Sequence, residues 1–258
     1  MSTNLLLIED IGPVTRITLN APASMNAVST AMAMELRLAV RAAAQRSGAI
    51  VLTGDDRAFS SGANLSNDPG MAVGEMDAGT LLEDLYNPLA LTIRDCPVPI
   101  VTAVRGAAAG VGASLAMMGD IIVAGRSAYF LMPFRHIGLV PDGGAAWLLT
   151  RAIGRTRALE MMLLGEKLPA EKALDWGLIT RLTEDDAVLE TAEKLAKNLA
   201  LGATKALALT RQLTWAAQSS SFEEELRSES AAQREAGYHP DFVEGVTAFQ
   251  EKRRPKFQ

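Results

Sequence analysis

Cysteine is nearly absent from this sequence, since Cys96 is the only one in 258 residues. A single cysteine forms no internal disulfide, which favours a reducing, cytoplasmic compartment. Its neighbours include no obvious base, so we interpret Cys96 as a packed thiol rather than a nucleophile. The first residues have no basic region ahead of an apolar run, and we expect no signal or transit peptide. No apolar run reaches the roughly 20 residues of a membrane span, so we expect no membrane partner.

Histidine is almost as scarce, and acidic residues outnumber basic ones. His136 and His239 lie far apart in sequence, so we predict no Ser/His/Asp set and interpret both as structural or exposed. No group of His, Cys and acidic residues has the spacing of metal ligands, and we expect no metal. The 25 basic and 30 acidic residues give a net charge of −5, which argues against a nucleic-acid partner. A small polyanion is still compatible, because a local cluster of Lys and Arg binds phosphate even in an acidic protein.

The abundant residues are apolar and make up 48% of the chain, enough for a large domain with a sizeable core. Two short β-type runs, at 5–10 and 14–20, precede a helix at 30–47 that Ser29 is predicted to cap. A buried strand is predicted at 49–54. The order strand, helix, strand is predicted again later in the chain. Two copies of one such unit predict a stacked or spiral α/β core.

Other stretches differ in composition from this repeat. Residues 55–80 are polar and glycine-rich, which predicts a mobile loop, and a helix is predicted near 80–94. Beyond residue 142 the pattern is mostly helical, with one strand predicted at 177–182. We divide the chain into a core at 1–201 and a C-terminal region of two or three amphipathic helices at 202–258.

Two glycine-containing turns are candidates for chemistry: "FSSGANL" at 59–65 and "GAAAGVG" at 106–112. Small residues let the main chain approach a ligand closely, and the first turn of a helix offers unpaired N–H groups. Two such groups that converge form an oxyanion hole for a thioester carbonyl. For either turn alone, a tight turn with close helix packing is the favoured interpretation. Neither turn has the spacing of a phosphate loop or a dinucleotide-binding loop.

Asp142 follows a proline and precedes two glycines in "IGLVPDGG". This is ordinary turn chemistry, and an aspartate here caps the helix that follows. The alternative interpretation is a catalytic carboxylate. The local residues alone favour the cap and leave the catalytic interpretation open.

Six segments carry a resemblance to a known family: "ASMNAVS" (23–29), "FSSGANL" (59–65), "GAAAGVGASLAMMGDIIVAG" (106–125), "IGLVPDGG" (137–144), "LTRAIGRTRALEMMLLGEKLPAEKALDWGLI" (149–179) and "GVTAFQEKRRPKF" (245–257). In this order they resemble the crotonase (enoyl-CoA hydratase/isomerase) superfamily, and within it an isomerase branch. The resemblance covers almost the whole chain. It implies an α/β spiral of ββα units whose C-terminal helices form a homotrimer, often paired into a dimer of trimers.

The resemblance also implies an acyl-CoA thioester as substrate, with coenzyme A entering as part of it and no separate cofactor. The thioester oxygen is expected between the N–H groups of Ala63 and Val111. Val111 stands where glycine is frequent and keeps its N–H, whereas Asn64 replaces a common aspartate. The expected coenzyme A contacts are Ala23, Met25, Ala27, Ser61, Asn64 and Leu65, together with Phe249 and Lys252 from a neighbouring subunit. The expected acyl pocket consists of Leu81, Leu85, Ser114, Phe134, Ile137 and Trp147.

Hydratases of this family carry two glutamates, and the matching positions here hold Ser114 and Phe134. Neither side chain transfers protons as a carboxylate does. Asp142 matches the single catalytic acid of several isomerases in the family, which implies that one base shifts a double bond. A carboxylate near a helix start is expected to stay ionised, although burial opposes this.

Three alternatives stay open beside an isomerase. The first is a hydratase with a relocated acid, at Glu75, Asp77 or Glu83. The second is a hydrolytic or dehalogenating enzyme in which Asp142 is the nucleophile. The third, of a different class, is a non-catalytic acyl-CoA-binding protein.

Overall fold

A computed structural model describes residues 4–65 and 77–257. Its strands are β1 (Leu6–Ile11), β2 (Val14–Leu19), β3 (Ala49–Thr53), β4 (Ala58–Ser60), β5 (Ile100–Val104), β6 (Ala107–Ala109), β7 (Ile121–Gly125), β8 (Tyr129–Leu131), β9 (Leu168–Pro169) and β10 (Arg181–Thr183). Its helices are α1 (Thr30–Ala44), α2 (Ala78–Leu81), α3 (Asn87–Arg94), α4 (Val111–Met117), α5 (Ala145–Ala152), α6 (Arg155–Leu164), α7 (Ala170–Asp175), α8 (Val188–Ala200), α9 (Thr204–Ala217), α10 (Phe222–Gly237) and α11 (Pro240–Gln250). A π-helical segment, Leu82–Tyr86, joins α2 to α3, and 3₁₀ turns cover Pro22–Ser24, Pro133–Ile137 and Asp185–Ala187.

The strands form two sheets. The larger sheet has the order β1-β2-β3-β5-β7-β10, in which only β1 and β2 pair antiparallel. The smaller sheet has the order β4-β6-β8-β9, with β9 antiparallel to β8. Each of β3, β5 and β7 is followed by a strand of the smaller sheet and then by helical structure. This repeat is a spiral of ββα units, which confirms the fold implied by the resemblance.

The central strands of the larger sheet are buried on both faces, and β3 shows how. In β3, Ile50 and Leu52 face the main core, whereas Ala49 and Val51 face a second cluster under α8. Side chains alternate between the faces of a strand, so a strand covered on both sides must be apolar throughout. All five residues of β3 and of β5 are buried. The uniformly apolar run at 49–54 therefore predicted its strand correctly.

Several element boundaries differ from the sequence-based expectation. Ser29 caps α1 by accepting a hydrogen bond from the Met32 N–H at 3.2 Å, as predicted, but the helix ends at Ala44 rather than at residue 47. The two glycine turns begin in strands β4 and β6, which have three residues each. Such strands are too short to show a period of two in the sequence. Strand β10 overlaps only the last two residues of the strand predicted at 177–182 and extends one residue beyond that prediction.

The C-terminal region after residue 202 contains three helices, α9 to α11. Ser221 and Glu224 form a reciprocal capping box at the start of α10, and His239 caps α11 through Nδ1. The structural role predicted for His239 is therefore confirmed. No helix among residues 4–65 and 77–257 is long and apolar enough to cross a membrane. Most of the loop predicted at 55–80, namely 66–76, lies outside the described residues.

Candidate active site

A cavity of about 310 Å³ opens where the two glycine turns meet the Asp142 turn. Many of the proposed site residues line it: Ser61, Ala63, Leu65, Leu81, Val111, Phe134, Ile137 and Asp142. Further lining comes from Tyr86 and Leu82 of the π-helical segment and from Leu139 and Val140. The described lining includes no Lys, Arg or His. The cavity is therefore apolar, with Asp142 as its one charged side chain among the described residues.

The two glycine turns touch each other through main-chain atoms. Gly62 has φ +105°, and a Cβ built on it would lie 3.1 Å from the Ala109 carbonyl oxygen. A Cβ on Gly112 would lie 2.5 Å from the Ser60 Cβ, so α4 packs directly on β4. Real Cβ atoms essentially never come within 3.0 Å of another atom, so the packing requires glycine at position 112, and the positive φ favours glycine at position 62. The close approach brings the main chain of both turns to one cavity wall.

Ala63 is held in an extended segment beside Val28. The Val28 N–H donates to the Gly62 carbonyl at 2.7 Å, and the Asn64 N–H donates to the Val28 carbonyl at 3.2 Å. Successive N–H groups of an extended segment point to opposite sides. The Ala63 N–H therefore points away from Val28 and is available to a ligand on the other side.

Val111 offers the second N–H group. It is the first residue of α4, and its neighbour Gly110 provides no side-chain cap. The first N–H groups of a helix have no partner within that helix. Because Val111 and Ala63 line the same cavity, their N–H groups are candidates for the donor pair that an oxyanion hole requires.

Asp142 is a half-buried acid with one buried carboxylate oxygen. Its Oδ1 has no hydrogen-bond partner among the described residues. Burial raises the pKa of the Asp142 carboxyl to about 6, and its own main-chain N–H only partly opposes this shift. A carboxylic acid with that pKa both takes and returns a proton near neutral pH.

The capping interpretation of Asp142 is wrong. Helix α5 begins at Ala145 with Gly144, at φ +81°, as its cap residue, and no side chain caps it. The Asp142 main-chain carbonyl accepts from the Ala145 N–H at 3.0 Å instead. Burial opposes ionisation of this acid, as expected, and a pKa of about 6 still leaves it mostly ionised at neutral pH.

Ser114 is fully buried on α4 and does not line the cavity. Its hydroxyl donates to the main-chain carbonyl of Asp142 at 2.9 Å. A Cβ on Gly143, which has φ +59°, would lie 2.8 Å from the Ser114 Cβ. The side chain expected in the acyl pocket thus holds the turn that carries Asp142.

The segments proposed to bind coenzyme A lie side by side. The Ser61 N–H donates to the Met25 carbonyl at 2.9 Å, and the Ser61 hydroxyl donates to the Ser24 carbonyl at 2.8 Å. Ala23 lies in the first 3₁₀ turn, Met25 has φ +50°, and Ala27 is buried. The structure brings these residues next to the Ser61–Leu65 turn, and their contacts with coenzyme A stay a prediction.

Two polar residues that support these segments were missed by sequence reasoning. Asn26, fully buried with φ +55°, accepts from the Ala21 N–H and donates to the Ala58 carbonyl at 2.9 Å. Tyr86 donates its buried hydroxyl to the Val28 carbonyl at 3.0 Å. The only signal available in the sequence was the asparagine inside "ASMNAVS", since polar residues at positive φ are often asparagine.

Two further acyl-pocket residues lie elsewhere. Trp147 stacks on Trp215 of α9, with ring centroids 5.2 Å apart, and Arg151 covers its ring at 4.1 Å. The buried residues of α5 are Ala145 and Leu149, and a helix turns about 100° per residue, so Trp147 faces away from that buried side. Leu85 is buried in the main core and does not line the cavity.

The last two coenzyme A contacts lie far along the chain. Phe249 is 85% exposed and lines a separate cavity of about 570 Å³ between α9, α10 and α11. Lys252 follows α11 with φ +54°. No residue lines both this cavity and the one at Asp142. A contact between them and coenzyme A bound in the same subunit is therefore not supported.

The other residues considered from the sequence have structural contacts. The Asp77 carboxylate caps α2 by accepting from the Gly79 N–H at 2.8 Å. Neither Asp77 nor Glu83 lines the Asp142 cavity, and Glu75 lies outside the described residues.

Cys96 is buried as expected, and His136 Nε2 lies 3.2 Å from the Gly165 carbonyl. Among the residues that the structure describes, no three His, Cys, Asp or Glu side chains form a possible metal site.

Comparison with known proteins bears on this geometry. The model of the enoyl-CoA hydratase/isomerase family matches residues 10–258. A 1,2-epoxyphenylacetyl-CoA isomerase of Escherichia coli is 40% identical over 248 residues, which cover 95% of this chain and 94% of that protein. A "Probable enoyl-CoA hydratase" of Rhodobacter capsulatus is 42% identical and covers 93% of both chains. The crystal structure of an enoyl-CoA hydratase from Polaromonas is 30% identical, with a TM-score of 0.90 over 98% of this chain and 99% of its own.

Proposed function

The chain belongs to the enoyl-CoA hydratase/isomerase family, and on this premise we propose that it is an acyl-CoA isomerase with Asp142 as its single base. Similar relatives carry both isomerase and hydratase names, so we choose between these two activities from the residues of the site. The observation that carries the proposal is the buried Asp142 oxygen without a partner, in a cavity shared with Ala63 and Val111.

The proposed reaction moves one proton. The ionised Asp142 takes a proton from C2 of a 3-enoyl thioester, and the electron pair passes to the thioester oxygen. The N–H groups of Ala63 and Val111 stabilise this enolate oxygen. The protonated Asp142 then returns the proton to C4, which completes the shift of the double bond with no other reactant.

Hydration would require two groups, one to activate water and one to protonate carbon. The positions where hydratases of this family carry glutamates hold Ser114 and Phe134. Ser114 uses its hydroxyl on a main-chain carbonyl, and Phe134 is a buried apolar wall. The candidates for a relocated acid in the described chain, Asp77 and Glu83, do not line the cavity. These observations favour an isomerase over a hydratase.

The acyl group that we propose is an apolar ring or alkyl chain. The cavity wall consists of Leu65, Leu81, Phe134, Ile137 and similar side chains. The E. coli relative is named for a 1,2-epoxyphenylacetyl-CoA substrate, and conversion of such an epoxide to its oxepin is also an isomerisation. We therefore include that reaction, and with it a role in phenylacetate breakdown, in the proposal.

The decisive experiment is a substrate screen. Purified protein is mixed with cis-3-hexenoyl-CoA, trans-2-hexenoyl-CoA or epoxyphenylacetyl-CoA, and products are followed by mass spectrometry and absorbance. Isomerisation changes the spectrum and leaves the mass unchanged, whereas hydration adds one water. Rapid hydration of trans-2-hexenoyl-CoA would overturn the proposal in favour of a hydratase. Binding without turnover of any substrate would favour a non-catalytic acyl-CoA-binding protein.

A nucleophilic Asp142 is tested in the same samples. An ester between Asp142 and an acyl group raises the mass of the intact protein, and the proposed proton transfer does not. We expect the protein mass to stay unchanged during turnover. A covalent adduct at Asp142 would replace the isomerase proposal with a hydrolytic one.

We also propose that the chain acts as a homotrimer or a dimer of trimers. Helices α10 and α11 expose large apolar side chains, among them Phe222, Phe242, Val243 and Phe249. Exposed apolar patches of this kind are typical of subunit interfaces. In such an assembly Phe249 and Lys252 reach the coenzyme A of a neighbouring subunit. Sedimentation analysis of the intact protein tests this, and a monomer at micromolar concentration would contradict it.

A further inference from the structure

Ser114 is the one polar side chain in a helix whose seven residues are all buried. Its hydroxyl donates to the Asp142 carbonyl at 2.9 Å and lies 3.5 Å from the Gly110 carbonyl. A buried hydroxyl needs a partner, because an unpaired one costs about 1–3 kcal/mol. The Ser114 hydroxyl finds its partner in the main-chain carbonyl of Asp142. It therefore does not donate to the Asp142 carboxylate.

One short helix thereby contacts both parts of the proposed machinery. Val111, the first residue of α4, offers the oxyanion N–H, and Ser114 lies three residues later on the same face. Gly143 packs against both: a Cβ on it would lie 2.8 Å from the Ser114 Cβ and 3.4 Å from Val111 Cγ2. The acid turn therefore rests directly on the oxyanion helix, with the Ser114 hydroxyl as the polar link.

We propose that Ser114 is a positioning residue that fixes the Asp142 turn to the oxyanion helix. The proton that Asp142 moves travels between two carbons of a substrate whose oxygen is anchored at Val111. Transfer in both directions requires a constant spacing between base and anchor, and displacement of about 1 Å reduces rates roughly 100-fold. This inference rests on the proposed function of Asp142 as the base.

A matched control is a second buried hydroxyl, in strand β5, that also donates to the main chain at helix α4. Thr102 is also fully buried, and its hydroxyl donates to the Ala116 carbonyl near the other end of α4 at 2.8 Å. In each case the carbonyl keeps a second donor, the Ala145 N–H for Asp142 and the Gly119 N–H for Ala116. Removal of either hydroxyl deletes one comparable buried bond to a carbonyl. Only the Ser114 bond reaches the Asp142 turn.

The test compares Ser114→Ala with Thr102→Val. We expect kcat for cis-3-hexenoyl-CoA to fall about 10- to 100-fold in Ser114→Ala, with KM within about threefold of the wild type. Thr102→Val should retain kcat within about twofold while its Tm falls comparably. Equal losses of kcat in the two variants, or an unchanged kcat in Ser114→Ala, would overturn the inference.

Amide hydrogen exchange supplies a readout that needs no turnover. We expect the amides of residues 142–145 to exchange faster in Ser114→Ala than in the wild type, and at the wild-type rate in Thr102→Val. Unchanged exchange at 142–145 in Ser114→Ala would show that the hydroxyl does not hold the turn. If the wild type turns over none of the three thioesters, the proposed function fails, and exchange alone still decides the role of Ser114.

Discussion

The two ends of helix α4 lead to two aspartates whose carboxyl groups have different surroundings. Asp142 contacts the N-terminal half of α4 through Ser114, and Asp120 follows the C-terminal end. Burial raises the pKa of both carboxyls. The Asp120 carboxylate accepts from the Arg211 guanidinium and from the Ile100 N–H, each at 2.7 Å.

Asp142 has no such cation, and its Oδ1 has no partner among the described residues. Burial alone therefore does not distinguish a structural acid from a chemical one. The partners do: Asp120 ties strand β5 to helix α9, whereas Asp142 keeps an oxygen available at a cavity. Perturbed carboxyls in cavities are candidates for function, and perturbed carboxyls in ion pairs are usually structural.

The largest expected effect comes from the same substitution at each aspartate. Asp142→Asn should lower kcat for cis-3-hexenoyl-CoA isomerisation by roughly 100- to 10,000-fold, because the amide cannot take the proton. Binding of saturated hexanoyl-CoA, measured by calorimetry, should change little. Asp120→Asn should retain kcat in the folded protein. Comparable kcat values for Asp142→Asn and the wild type would remove the distinction between the two acids.

The second effect concerns stability at the Asp120 end. Arg211 also donates to the carbonyls of Ile93, Arg94 and Cys96, so it closes the C-terminal end of α3 as well. Arg211→Met should lower the free energy of unfolding by about 1–3 kcal/mol, because Asp120 loses its cation and the three main-chain carbonyls lose a donor.

The control for Arg211 is the exposed pair of Arg94 with Asp95. Arg94→Met should change the free energy of unfolding by about 0–1 kcal/mol, since exposed pairs contribute little. Urea denaturation followed by circular dichroism measures both variants. Equal losses of unfolding free energy in the two variants would show that the pair of Arg211 with Asp120 stabilises the fold no more than an exposed ion pair does.

The third prediction is the pH dependence of turnover. Asp142 must be ionised to act as a base, and its pKa is about 6. The value of kcat/KM should therefore rise about tenfold per pH unit below pH 6 and level off above it. A profile that stays flat between pH 5 and pH 7 would contradict Asp142 as the base.

The fourth prediction concerns the effect of this pKa on stability. A folded pKa of about 6 lies above the ordinary value of 3.8, so the neutral form is favoured in the folded state. The stabilising contribution is complete below the ordinary value and is lost as pH rises through about 6. Asp142→Asn should therefore be more stable than the wild type at pH 8, by about 1–2 kcal/mol after allowance for partial exposure. At about pH 3, below both pKa values, the difference in unfolding free energy should be close to zero.

The smallest predicted effect extends the comparison to the other oxyanion turn. Tyr86 supports Val28, which in turn holds the segment of Ala63. Tyr86→Phe removes one buried hydrogen bond, worth about 1 kcal/mol, and should lower kcat/KM by about fivefold or less. Tyr238→Phe, at a side chain that is 84% exposed, is the control and should have no effect. A loss as large as that of Ser114→Ala would mean that the Ala63 turn depends on one bond as strongly as the Asp142 turn does.

Much of the fold follows from local sequence signals. Ser29 caps α1, and the apolar run at 49–54 is a strand buried on both faces. Both features depend on neighbours along the chain, which a sequence shows directly. The short strands β4 and β6 gave no periodic signal, and the motif resemblance rather than the pattern located their turns.

The candidate site was predicted in part. Ala63, Val111 and Asp142 do line one cavity, because the segments that carry them match a known order of motifs. Trp147 and Leu85 were misplaced, because the rotation of a helix about its axis depends on what it packs against. Asn26 and Tyr86 were missed, because their main-chain partners Ala58 and Val28 are 32 and 58 residues away.

The sequence by itself determined the α/β spiral, the two glycine turns and the position of a lone acid between proline and glycine. Only the tertiary structure decided that this acid does not cap the helix, since a cap and a base share the same local sequence. Asp142 does not cap α5 with its side chain, because Gly144 is the cap residue and no side-chain hydrogen bond caps this helix. Its carboxyl is left buried beside an apolar cavity, where desolvation raises its pKa toward neutrality. Desolvation depends on residues brought together from distant parts of the chain, and no local pattern encodes it.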